Sequence, residues 1–238
     1  MTAWTGLKAV YDKEMLTYFR SSIAYFVIAV FLLGTGFFFV YNIFLTGVGT
    51  MDQTFQNMGI LLIMLVPVLT MRLFSGEYSG RTMELLMTLP LRGWQIVMGK
   101  YLGAVSMLVL MTATSCINLI PLYLYGTPQS SNILAGYIGF ILLGMACIAI
   151  GQLFSALTEN QIVAALITIP VLLAFWFVGH MQSIQSSVLL RDLFSHLSFA
   201  QHFADFIQGL IRSEAVAFSL VVSAIALTLN TSYLQWRR

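Results

Sequence analysis

The sequence predicts an all-α polytopic membrane protein with about six transmembrane helices, and three observations lead there. Of 238 residues, 59% are hydrophobic and only 8% are charged, whereas globular chains carry about 25% charged residues. The mean hydropathy is +0.88, an apolar excess that soluble surfaces cannot accommodate. The apolar residues also fall in long uncharged runs rather than in alternation. Backbone groups in hydrocarbon must pair internally, in helices or closed barrels, and continuous runs select helices.

The elements follow in chain order. Residues 1–21 carry Trp4, Leu7, Tyr11, Met15 and Tyr18 at helical spacing, with Lys8, Asp12, Lys13 and Arg20 mostly elsewhere around the wheel; this predicts a helix lying in the membrane interface. Apolar runs then place spans at 22–45, 54–72, 101–125, 133–156, 161–179 and 214–236. Pro67 predicts a kink near the inner end of the second. The first run is too long for a signal-peptide core and lacks a small-residue cleavage site, so it is expected to stay in the mature protein. Residues 186–212 are apolar but punctuated by Arg191, Asp192, His196, His202, Asp205 and Arg212. Burying each Arg or Asp at mid-membrane would cost about 2.5–3.5 kcal/mol, so this stretch is expected to form short amphipathic helices on the outer side.

Charge asymmetry orients the chain. A cytoplasmic N-terminus puts Lys8, Lys13, Arg20, Arg72, Arg81, Arg92, Lys100, Arg237 and Arg238 inside and leaves Arg191 and Arg212 outside. That imbalance predicts two cytoplasmic termini.

The longest charged connection, Arg72 to Lys100, reads RLFSGEYSGRTMELLMTLPLRGWQIVMGK. Gly80 and Pro90 bracket a helix-compatible stretch with Met83, Leu86 and Met87 on one face and Arg81, Glu84 and Thr88 on another. Pattern alone leaves a docking knob and a solvated loop both open. The string Glu77, Arg81-Thr82-Met83-Glu84-Leu85-Leu86, Thr88-Leu89-Pro90 and Gly99-Lys100 resembles the signature of ABC-2 type permeases, departing at Arg81, where the family usually has Gly. The stretch Ser155, Leu157, Thr158, Asn160 and the ending Phe203, Phe206, Gly209 are similar to the gliding-motility permease subgroup.

The resemblance implies a coupling helix within 76–93 that docks on a separate ABC ATPase through Glu77, Arg81, Thr82, Glu84, Leu85, Leu86, Pro90 and Lys100. A second cytoplasmic contact would lie at Thr158, Glu159 and Asn160. It implies two ATPase copies holding ATP and Mg, a second permease copy or related subunit, surrounding membrane lipids, a periplasmic or envelope auxiliary protein, and a bacterial inner-membrane location. The function implied is that of an exporter's permease subunit; a non-transporting mechanical or scaffold subunit of such a complex would carry the same signature.

Other chemistry finds no support in the residues. No carboxylate or basic side chain falls in the interior of a predicted span, unlike ion-coupled carriers, so coupling energy is expected from a partner. Gly93 to Lys100 has five residues between its glycines and follows no strand, which excludes a phosphate-binding loop. His180, His196 and His202 share no helical face, and Cys116 and Cys147 read as small hydrophobes. Neither a metal, a cofactor on this chain, nucleic-acid binding nor catalysis is expected. Gly99 and Gly103 form a close-contact step, and Thr112, Thr114, Ser115 and Asn118 make the third span polar, suited to interhelical hydrogen bonds or to a path lining.

Overall fold

The computed structural model describes residues 3–46, 51–125, 129–179 and 194–237. Among these residues every regular element is helical: α1 Ala3–Arg20, α2 Ser22–Thr46, α3 Asp52–Thr70, α4 Ser75–Ser79, α5 Met83–Thr88, α6 Gly93–Ser115, α7 Leu119–Tyr125, α8 Ser130–Leu157, α9 Gln161–Phe177, α10 Phe199–Ile207 and α11 Ser213–Trp236. Among the described residues, five stretches are long and apolar enough to cross a membrane. The fifth predicted span falls on α9, an apolar helix of 17 residues that is not among those five. At 1.5 Å per residue that is about 26 Å, slightly short of a hydrocarbon core of about 30 Å.

The bundle is built around α8, which packs against α3, α6, α9, α10 and α11. Small residues make this possible. A Cβ at Gly136 would meet Phe55 at 2.6 Å, and the space beside Gly139, Gly144 and Gly151 is filled by Phe206, Leu108 and Thr70. α2 lies at the periphery, with Phe26, Leu33, Phe37 and Phe44 exposed. A face of this kind suits an apolar surrounding rather than water.

Two predicted boundaries change. The third span was expected at 101–125 but α6 begins at Gly93, because Lys100, which ends an apolar window when the sequence is scanned, is neutralised by carboxylates and stays inside the helix. At its other end, a 3₁₀ turn over Cys116–Asn118 separates α6 from α7. Pro121 lies just beyond; its ring would clash with the carbonyl of residue 117 in a continuous α-helix. Pro67, in contrast, sits inside α3 without ending it.

The expected outer amphipathic region is described from residue 194 on; its residues 186–193 lie outside the described residues. In α10, Phe199, Phe203, Phe206 and Ile207 are buried. That apolar face covers the bundle end formed by α8, α9 and α3 rather than lying in lipid. Ser198 caps the helix by accepting from the Gln201 N–H at 3.3 Å. His202 stacks on Phe218 with ring centroids 4.3 Å apart, and His180 lies outside the described residues.

Candidate functional site

The segment between α3 and α6 folds back under the bundle as two short helices. Ser155 of α8 organises the first. Its hydroxyl accepts from the backbone N–H groups of Phe74 and Ser75 at 3.1 and 3.2 Å and donates to the Met71 carbonyl at 2.9 Å. One buried side chain thereby satisfies donors that the start of α4 would otherwise leave orphaned. The chain leaves α4 through Gly80 and Arg81, and Arg81 takes φ +53°, the only positive φ of a non-glycine residue among those described. This is the position where the family signature usually has Gly, and the left-handed backbone supplies the reason: glycine adopts it without a Cβ clash. The Thr82 N–H then closes the turn onto the Glu77 carbonyl at 3.0 Å.

α5 presents the two faces read from the sequence. Met83 and Leu86 are buried against the bundle and Met87 is half-buried. Arg81, Thr82, Glu84, Leu85 and Pro90 are exposed, Leu85 at 71%.

The turn between α8 and α9 lies beside this helix. Thr158 is half-buried while Glu159 and Asn160 are exposed, and the Asn160 side chain caps α9 by accepting from the Ile162 N–H at 2.9 Å. A notch of about 470 Å³ is lined by Tyr78, Arg81, Met83, Glu84, Met87, Glu159 and Arg237. Arg237, at the end of α11, donates to Glu159 at 2.7 Å and lies 4.4 Å over the Tyr78 ring. The structure therefore brings together the two stretches that the sequence singled out, with Tyr78 and Arg237 as members that sequence reasoning had not placed there. Their only sequence signal was an aromatic residue in the charged connection and a basic pair at the C-terminal end.

Glu77 and Lys100, also expected among the docking residues, lie behind that surface. Lys100 is 1% exposed and Glu77 8%. The Lys100 ammonium donates to Glu14 at 2.5 Å and to Glu77 at 2.9 Å, Lys13 donates to the same Glu77 oxygen at 2.6 Å, and the Phe74 ring lies 5.3 Å from the Lys100 nitrogen. The Lys100 ammonium of α6 is thus neutralised out of water by Glu14 of α1 and Glu77 of α4, while Lys13, half-exposed, reaches Glu77 from the solvent side. Buried charge is tolerated only under such pairing. This charge frame lies behind the exposed face of α5. Leu86, also expected there, is likewise turned inward.

The predicted interfacial helix α1 provides half of this frame. Its buried line is Gly6, Val10 and Glu14, with the aromatic stripe half-buried beside it and Trp4 outside at 79%. The Gly99–Gly103 step receives it. A Cβ at Gly99 would sit 2.8 Å from Val10, and one at Gly103 3.0 Å from the Glu14 Cβ. Close approach of α1 to α6 through these glycines is what lets a carboxylate reach Lys100. Tyr18, whose phenol burial pushes above its ordinary range, donates to the Leu69 carbonyl at 3.1 Å and ties α1 to α3.

The polar residues of the third span do not form a comparable site. Thr112, Thr114 and Ser115 donate to carbonyls of their own helix at 2.8, 2.7 and 2.7 Å, with one longer cross-helix contact from Ser115 to the Tyr137 hydroxyl at 3.5 Å.

The described residues form a helical bundle with a polar platform folded against one end. The profile of the ABC-2 family transporter proteins matches residues 45–229, more than half of the chain. The chain belongs to that family and is a permease component of an ABC transporter, a class whose members associate in general with an ABC ATPase. Comparison with curated proteins gives no match.

Proposed function

We propose that this chain is the membrane-spanning subunit of an ATP-driven exporter in a bacterial cytoplasmic membrane, and that a separate ATPase docks on the notch between α5 and the α8–α9 turn. ATP and Mg are held by that partner. Two ATPases act on two permease subunits, the second being another copy or a related chain, and both termini are cytoplasmic. The resemblance to the gliding-motility permease subgroup belongs to the same proposal.

One observation carries the reading. Glu84 and Glu159, far apart in sequence, rim a single notch with Arg81 and Arg237, over a floor of Tyr78, Met83 and Met87. An apolar floor with a mixed-charge rim and a protruding Leu85 is suited to gripping a soluble partner. The frame behind it, Glu77 to Lys100 to Glu14, connects the platform to α6 and α1, so displacement of α4 and α5 by closing ATPases would reach the spans.

Co-expression with an ABC ATPase from the same organism tests the docking. The wild-type chain is expected to retain the ATPase through purification. Glu84→Arg combined with Glu159→Arg should abolish retention while leaving the permease's own chromatographic profile unchanged, since both carboxylates are exposed. Undiminished retention would overturn the assignment. Export itself is read as solute movement by the reconstituted complex that requires ATP.

A further inference from the structure

A second cavity, of about 260 Å³, lies between α1, the start of α2, the end of α3 and α4. Its polar wall carries Arg72, Lys13, Thr17 and Ser21; its other wall is made of Ile23, Ala24, Val68 and Leu69. The carboxylates Glu14 and Glu77 and the ammonium of Lys100 line it as well. We propose that this cavity binds the phosphate headgroup of a membrane phospholipid, held by Arg72.

The charges around the cavity do not cancel. Lys13 and Lys100 are engaged by Glu77 and Glu14, which leaves Arg72 as the surplus cation. No carboxylate among the described residues pairs with it. Its Nη1 donates to the Ser21 hydroxyl at 2.7 Å, which fixes the side chain while leaving other donors of its fork for a ligand. A planar guanidinium offers phosphate two parallel hydrogen bonds. Lys13, half-exposed beside it, adds a second positive group at the mouth.

The position selects a lipid over a soluble anion. α2 begins at Ser22 and α3 ends at Thr70, so the cavity straddles the level at which two apolar helices pass into charged chain, the level of lipid headgroups. Ile23 and Val68 form the side toward the membrane interior, and Tyr25 and Phe26 continue outward from there, exposed at 58% and 63%. A phosphate at Arg72 would thus have its acyl chains directed along the exposed surface of α2. A soluble phosphate ester would leave that apolar wall uncovered.

Native mass spectrometry of the full-length chain in detergent tests this without the ATPase, so its outcome is separate from that of the docking proposal. The probes are phosphatidylglycerol and a diacylglycerol of the same chain length. Wild type is expected to retain phosphatidylglycerol at least about ten-fold better, as suits a charge-assisted phosphate contact. Arg72→Ala should remove the preference, Arg72→Lys should keep part of it, and Arg92→Ala, an exposed cation elsewhere on the same loop, should leave it intact. Ala24→Phe, filling the cavity from its apolar wall, should also displace the lipid. Equal retention by wild type and Arg72→Ala would overturn the site. Glycerol phosphate protecting wild type against heating as well as phosphatidylglycerol does would make the occupant a soluble ester and overturn the lipid assignment.

Discussion

Replacing Lys100 by methionine probes the buried charge frame at its centre. The substitution leaves the volume nearly filled but strips Glu14 of its ammonium partner, while Glu77 keeps Lys13 at 2.6 Å. Glu14 is 6% exposed, so its carboxylate must stay desolvated and unpaired, take up a proton, or leave by pulling α1 off α6. Removing one member of a buried pair costs about 3–5 kcal/mol. The lower end is expected here, because α1 lies at the edge of the fold and moves more readily than α8 would. Thermal unfolding in detergent of wild type, Lys100→Met, Glu14→Gln and the double variant gives the magnitude and the coupling. The double variant should cost less than the two singles summed, by about 1–3 kcal/mol, since neither charge is then stranded. Cysteine placed at Val10 should become reactive to a soluble thiol reagent in Lys100→Met alone. A loss below about 1 kcal/mol, or strict additivity of the two substitutions, would refute the reasoning that desolvated pairing holds α1 in place.

Three further outcomes follow from the same geometry. Gly99→Val puts a Cβ 2.8 Å from Val10, and overpacking of that kind costs about 1–3 kcal/mol; limited proteolysis should cut the N-terminal helix faster than in wild type. Arg81→Gly, at φ +53°, should raise stability by up to about 1 kcal/mol and Arg81→Val should lower it by about 1–2 kcal/mol, read from thermal midpoints. Arg237→Ala breaks the pair with Glu159, a carboxylate side chain that is 71% exposed, and should change stability by less than about 1 kcal/mol because water screens that pair; loss of ATPase retention without loss of stability would be its signature.

The two-faced helix α5 shows how far local pattern reaches. Met83 and Leu86 on one side and Glu84 on the other were assigned from spacing, and burial follows that assignment. Glu77 and Lys100 show where it stops. Both lie in a charged connection and read as surface residues, yet the partners that bury them come from α1, 86 residues away in the case of Glu14. The clue was present in the Gly99–Gly103 step next to Lys100, but spacing says only that a helix fits there and not which one.

Hydropathy and periodicity are properties of the chain itself, so the membrane class, the helical build and the short two-faced helix were determined by sequence alone. What the tertiary structure decided is which charges meet. The joining of Glu14, Glu77 and Lys100, the convergence of α5 with the Glu159 turn and Arg237, and the turning of α10 onto the bundle all depend on distances between helices. Such distances are set by close packing of small residues such as Gly99, Gly103 and Gly139 against particular neighbours, and local spacing along one helix carries no information about the neighbour it will meet.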